Sequence, residues 1–101
     1  MEFIILTFVV QREDEYFVSD CLELGTASFG SSEDEALNNL LDATSVYLDT
    51  LEDLGETHHV LEAKGVPVYS YEPANLEVRK AKFPAGSKVQ PTVIELQHAH
   101  A

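Results

Sequence analysis

Residues 3–10, Phe3-Ile4-Ile5-Leu6-Thr7-Phe8-Val9-Val10, form an apolar run rich in β-branched and aromatic types with no helical gaps. Such a run reads as a β-strand, here spanning residues 3–11. Its two alternating sets are both apolar. Ile4, Leu6, Phe8 and Val10 share one face, and Phe3, Ile5 and Val9 share the other. A strand with one face in water would carry polar residues on that face. Both faces therefore need cover, from the C-terminal third of the chain or from another subunit.

The charged turn Arg12-Glu13-Asp14-Glu15 sends the chain back as a second strand, Tyr16 to Leu22, so the two form a hairpin. Gly25 breaks the chain, and Thr26-Ala27-Ser28-Phe29 is a short third strand ending at Gly30. A long helix follows. Ser32 is suited to its N-cap, because its hydroxyl can accept the amide hydrogen of Glu35 while Glu35 reaches back to the amide of Ser32. Glu33, Asp34 and Glu35 set negative charge at the positive end of the helix dipole. Leu37, Leu40, Leu41, Thr44, Tyr47, Leu48, Leu51 and Leu54 recur at spacings of three and four, tracing one apolar stripe. Gly55 stands where a left-handed residue would end the helix.

Thr57 to Lys64 has room for a short second helix closed by Gly65. Pro67, Pro73, Pro84 and Pro91, with Gly86, exclude a long helix beyond it. Val66 to Tyr71, Leu76 to Ala81 and Thr92 to Leu96 read as extended segments. The order β-β-β-α-β predicts an α+β domain, an antiparallel sheet with one long amphipathic helix packed on it. At 101 residues the chain supports one core and excludes a two-domain enzyme with an interdomain cleft. Residues 1–65 form the body of that domain, and residues 66–101 an extended segment whose strands complete it.

Charge divides along the same line. Residues 1–63 hold fifteen acids and one base, Arg12, whereas residues 64–101 hold three acids and five bases (Lys64, Arg79, Lys80, Lys82, Lys88). The acidic part suits a basic partner and argues against nucleic acid or an anionic membrane, both of which need a basic footprint. The first apolar run follows Glu2 rather than a basic stretch and is too short to span a bilayer. A cytoplasmic protein is expected.

The sequence holds no catalytic constellation. Cys21 is the single cysteine, which excludes an internal disulfide and a cysteine-based zinc site. His58 and His59 are adjacent, so their side chains diverge. His98-Ala99-His100 would align two imidazoles if extended, but the simpler reading is a polar terminus. Glu13, Asp14 and Glu15 read as solvated turn residues. Asp20 shares a strand face with Tyr16, Val18 and Leu22, and its simplest reading is a strand-end position near solvent. No metal site, cofactor or catalytic residue is expected.

The stretch Tyr16 to Gly55 resembles the HicB antitoxin family, specifically its N-terminal HicB-like domain. The likeness is carried by Tyr16-Phe17-Val18, by Cys21-Leu22-Glu23-Leu24-Gly25-Thr26-Ala27-Ser28, and by Gly30-Ser31-Ser32-Glu33-Asp34-Glu35-Ala36-Leu37 with the helix after it. Ser31 and Ser32 stand in for the family's usual Asp-Thr. The resemblance implies a domain related to a degenerate ribonuclease H fold. It also implies an antitoxin that neutralises a small basic HicA-like, messenger-RNA-cleaving toxin by covering its active surface. The prolines after Gly65 leave no room for the DNA-binding module that such antitoxins usually carry. On this reading Asp20, Glu23, Gly25, Ser28 and Gly30 make the partner contact, with Asp20 and Glu23 accepting from basic side chains. The alternative is an orphan structural or regulatory domain that associates with itself as a homo-oligomer; a metal-dependent nuclease ranks below both.

Overall fold

The structure is a computed structural model, and it describes residues 1–74, 76 and 83–97. The elements are β1 (Glu2–Glu13), β2 (Tyr16–Cys21), β3 (Ala27–Gly30), α1 (Glu33–Asp53), α2 (Thr57–Ala63) and β4 (Lys88–Leu96). The strands form one antiparallel sheet in the order β3-β2-β1-β4. The expected α+β architecture holds, with a second helix added to give β-β-β-α-α-β.

Register assigns the faces. Phe8 lies opposite Cys21 and Val10 opposite Ser19, while Ile4 and Leu6 lie opposite Ile94 and Thr92. These side chains face α1. Ile4, Leu6, Phe8 and Cys21 pack with Leu24, Leu40, Leu48 and Leu51 from the loop and helix, and with Leu61, Val66 and Leu96. Ser19 sits in this layer without an unmet polar group, since its hydroxyl donates to the Ala36 carbonyl at 2.8 Å.

The helix stripe is shifted from its sequence-based placement. Ala36, Leu40, Thr44, Leu48 and Leu51 are buried, but Leu41 and Leu54 are 40% and 67% exposed. A helix lying on a narrow sheet covers a tighter arc than the full run of leucines spans, so the flanking ones fall outside it. The N-cap also differs in one half. Glu35 N–H donates to Ser32 Oγ at 3.1 Å, yet the Glu35 carboxylate accepts from Ser31, not Ser32, at 3.0 Å from the amide and 3.2 Å from the hydroxyl. At the other end Gly55, with φ +69°, lets its own amide reach the Glu52 carbonyl and that of Glu56 reach Leu51. This double closure satisfies helix carbonyls that would otherwise be orphaned.

The second face of the sheet is covered in part by the same chain. Tyr69 exchanges two backbone hydrogen bonds with Phe3, both 2.8 Å, and so runs beside β1; with Tyr71, Pro73, Ala74 and Ile5 it lines an open cleft. Thr7 and Val9, at the middle of this face, are each 2% exposed. Of the extended segments expected after Gly65, Thr92 to Leu96 lies within β4. Val66 to Tyr71 contributes an isolated bridge at Tyr69. Leu76 to Ala81 falls, apart from Leu76, outside the described residues, as do His98 and His100.

Candidate functional site

The residues expected to meet a partner do not converge on one surface. Asp20 lies opposite Val9 and Ala27, is exposed, and points away from α1. Ser28 pairs with Ser19, which places it on the helix side, half-buried. Gly25, with φ +76°, turns the loop between β2 and β3, where Gly25 N–H reaches the Cys21 carbonyl at 2.9 Å. Gly30 is buried beneath the first turn of α1, and a Cβ there would lie 2.5 Å from the Ala36 nitrogen. The close approach of helix to strand dictates glycine at this position.

Glu23 has an internal task. β2 diverges from β1 after Cys21, where Leu22 N–H still reaches the Thr7 carbonyl at 3.0 Å. The Thr7 N–H is then left without a strand partner. Glu23 Oε1 accepts it at 2.8 Å, and Glu23 Oε2 accepts the Thr7 hydroxyl at 2.8 Å. The Cys21 thiol, 2% exposed, is raised from its ordinary value of 9.0 by burial first and by the Glu23 charge as a smaller cause. A buried, protonated thiol is a packing group, not a nucleophile.

A different surface stands out on the face opposite α1. Val18 pairs with Phe29, so Tyr16 and Phe29 are diagonal neighbours on that face. Their rings meet edge to face, with centroids 6.3 Å apart and planes at 76°. Neither is covered: Tyr16 is 44% exposed and Phe29 67%. With Glu15, Gly30, Ser31 and Glu35 they line an open groove between the first turn and the start of α1. Exposed acids lie nearby, namely Glu13, Asp14 and Asp20 on the hairpin and Asp34 at the helix start, while Glu33 turns to Lys88 of β4, 3.9 Å away. Arg12, the nearest base in sequence, uses its Nε–H on the Asp14 carbonyl at 3.2 Å. The sequence names Tyr16 and Phe29 as strand residues, but their meeting depends on the β2–β3 register, which no local pattern encodes.

Among the described residues, no three His, Cys, Asp or Glu side chains converge as metal ligands would. His58 stands 2.9 Å from Glu2 and joins α2 to the start of β1. No helix among these residues is long and apolar enough to cross a membrane.

Fold and site together define a small α+β domain with a helix on one sheet face and an acidic, aromatic groove at the edge of the other. The chain belongs to the Uncharacterised protein family (UPF0184), whose family model matches residues 11–62. This corrects the HicB-like resemblance: the segment that suggested it is matched by a different family. The toxin-neutralising role and the ribonuclease H kinship came with that resemblance and lose their ground with it. No curated protein and no solved structure matches the chain.

Proposed function

We propose that this chain is a protein-binding module without a catalytic role of its own, whose partner is a basic polypeptide. The supporting observation is the distribution of charge over the fold. Residues 1–63 carry fifteen acids and one base. Most of these acids are exposed; Glu23, through Thr7, and Glu52, through the buried Thr57 hydroxyl, are committed to the interior framework. An acidic surface on a rigid sheet-and-helix scaffold accelerates encounter with a positively charged partner and disfavours anionic ones.

Self-association has less support. The two-sided apolar first strand favours it, yet Thr7 and Val9 on the second face are buried within a single chain. Two copies meeting through residues 1–63 would also set acid against acid.

Calorimetric titration of the full chain tests the proposal. The probes are a capped hexapeptide of alternating arginine and leucine and its counterpart of alternating glutamate and leucine. Saturable binding of the basic peptide alone supports it. Binding of both or of neither refutes it.

A further inference from the structure

We infer that the groove between Tyr16 and Phe29 is where such a partner docks, and that it takes a polypeptide segment presenting an arginine or lysine beside an apolar side chain. The inference rests on the binding-module reading above and gives it a location.

Three features of the groove carry the argument. The first is the pair of uncovered rings. Phe29, 67% exposed, and Tyr16, 44% exposed, form an edge-to-face pair at the end of the sheet, away from the side chains that α1 buries. Aromatic faces left open in this way offer apolar area and a quadrupole that attracts a cation. The second is charge placed at both walls. Glu15 and Glu35 line the groove with the rings. Exposed Glu13, Asp14 and Asp34 extend the negative field around it, whereas Glu33 is turned to Lys88. An anion or a nucleic acid is repelled there, whereas a guanidinium or ammonium finds a ring and a carboxylate together.

The third feature is preorganisation. Glu35 is fixed, since both its carboxylate oxygens accept from Ser31, at 3.0 and 3.2 Å. Ser32 and the helix start hold that corner in turn. Gly30 locks β3 under the helix so tightly that a Cβ would meet backbone atoms. A cation entering the groove therefore meets a carboxylate already in position, and less ordering is needed on binding. A bare metal ion is a poor occupant, because no three ligating side chains converge among the described residues. A second copy presenting its own residues 1–63 brings like charge and is repelled.

The test is an amide chemical-shift map of the isotope-labelled full chain titrated with the capped arginine–leucine hexapeptide, repeated on three variants. Phe29→Ser removes a ring that is mostly in solvent, so folding is preserved. Glu15→Gln removes one wall charge from an exposed turn. Val46→Ser is the control, a 66% exposed apolar side chain on α1 that does not line the groove. The expected result is shifts centred on Tyr16, Phe29 and Ser31. Affinity falls roughly fivefold in Phe29→Ser, by a smaller factor in Glu15→Gln, and not at all in Val46→Ser. If the peptide binds but shifts spread evenly over the acidic surface, or Phe29→Ser binds as tightly as wild type, the groove is refuted and the binding-module reading survives. If the peptide does not bind at all, both fall. Shifts at Tyr16 and Phe29 that depend on protein concentration without peptide assign the groove to a second copy and overturn the inference.

Discussion

Glu23 holds Thr7 through two hydrogen bonds of 2.8 Å, one to the backbone amide and one to the hydroxyl. The pair closes the sheet where β2 has left β1, so a side chain does the work of the missing strand residue. Thr7 is 2% exposed, so the carboxylate meets polar groups that the fold itself buries. Glu23→Ala should lower stability by about 2 kcal/mol, the cost of stripping a charge-assisted acceptor from a buried donor. Urea unfolding followed by circular dichroism would read this as a lower midpoint with an unchanged slope. Glu23→Gln, which keeps one carbonyl oxygen for the amide, should lose less.

Gly30 gives a steric prediction. A methyl at this position meets the Ala36 nitrogen at 2.5 Å and the Glu35 carbonyl carbon at 2.9 Å. Both are helix backbone and cannot rotate away. Gly30→Ala is expected to cost about 2 kcal/mol or more, a backbone-shifting overpacking effect. Gly25→Ala, with nothing within 4 Å of the added carbon but a φ of +76°, should cost less, roughly 1 kcal/mol. Thermal melts of the two variants side by side would check the order.

How far the sequence reveals these features depends on their range. The α1 boundaries and the Ser32 half of its cap were legible because Ser32 and Gly55 act within a few residues of themselves. The demand that β1 be covered on both faces was legible from alternation alone. The roles of Gly30 and Glu23 were not. Gly30 reads as a break between strand and helix, and only tertiary approach reveals that α1 sits on it. Glu23 reads as an acceptor for a partner's basic side chains, yet Thr7, sixteen residues earlier, claims it. The Tyr16–Phe29 pair was hidden for the same reason, since it forms by strand register rather than by local spacing. Local motif likeness also misled on the family, because a strand, a turn and a capped helix recur in unrelated small domains.

Capping offers an independent check on α1. Ser32→Ala removes the acceptor for the Glu35 amide and should cost about 1 kcal/mol. Ser31→Ala, which removes only the 3.2 Å hydroxyl contact to Glu35 and leaves the amide contact, should cost clearly less. Denaturant midpoints of the two variants would separate a true N-cap from a supporting neighbour.

Cys21 sets a pH dependence of known sign. Its folded value is raised above 9.0, chiefly by burial, so the folded state holds the proton more tightly than the unfolded chain. Its effect on stability is constant below the unfolded thiol's ordinary value and turns unfavourable as pH rises past it, because only the unfolded chain then ionises freely. Wild type should lose more melting temperature between about pH 7.5 and about pH 10 than Cys21→Ala does. The native thiol should also react with a disulfide reagent at least roughly tenfold more slowly than the urea-unfolded chain.

The central claim, that an acidic surface with an aromatic groove binds a basic polypeptide, is tested most directly by the ionic-strength dependence of the arginine–leucine hexapeptide affinity. Calorimetry at about 0.05 M and about 0.5 M salt, on wild type and on Phe29→Ser, separates charge from ring contact, because exposed charges are screened over roughly 10 Å at moderate salt. The account predicts that wild-type affinity falls steeply with salt but stays above that of Phe29→Ser at both concentrations. An affinity that is insensitive to salt, or the absence of binding at the lower concentration, would contradict it.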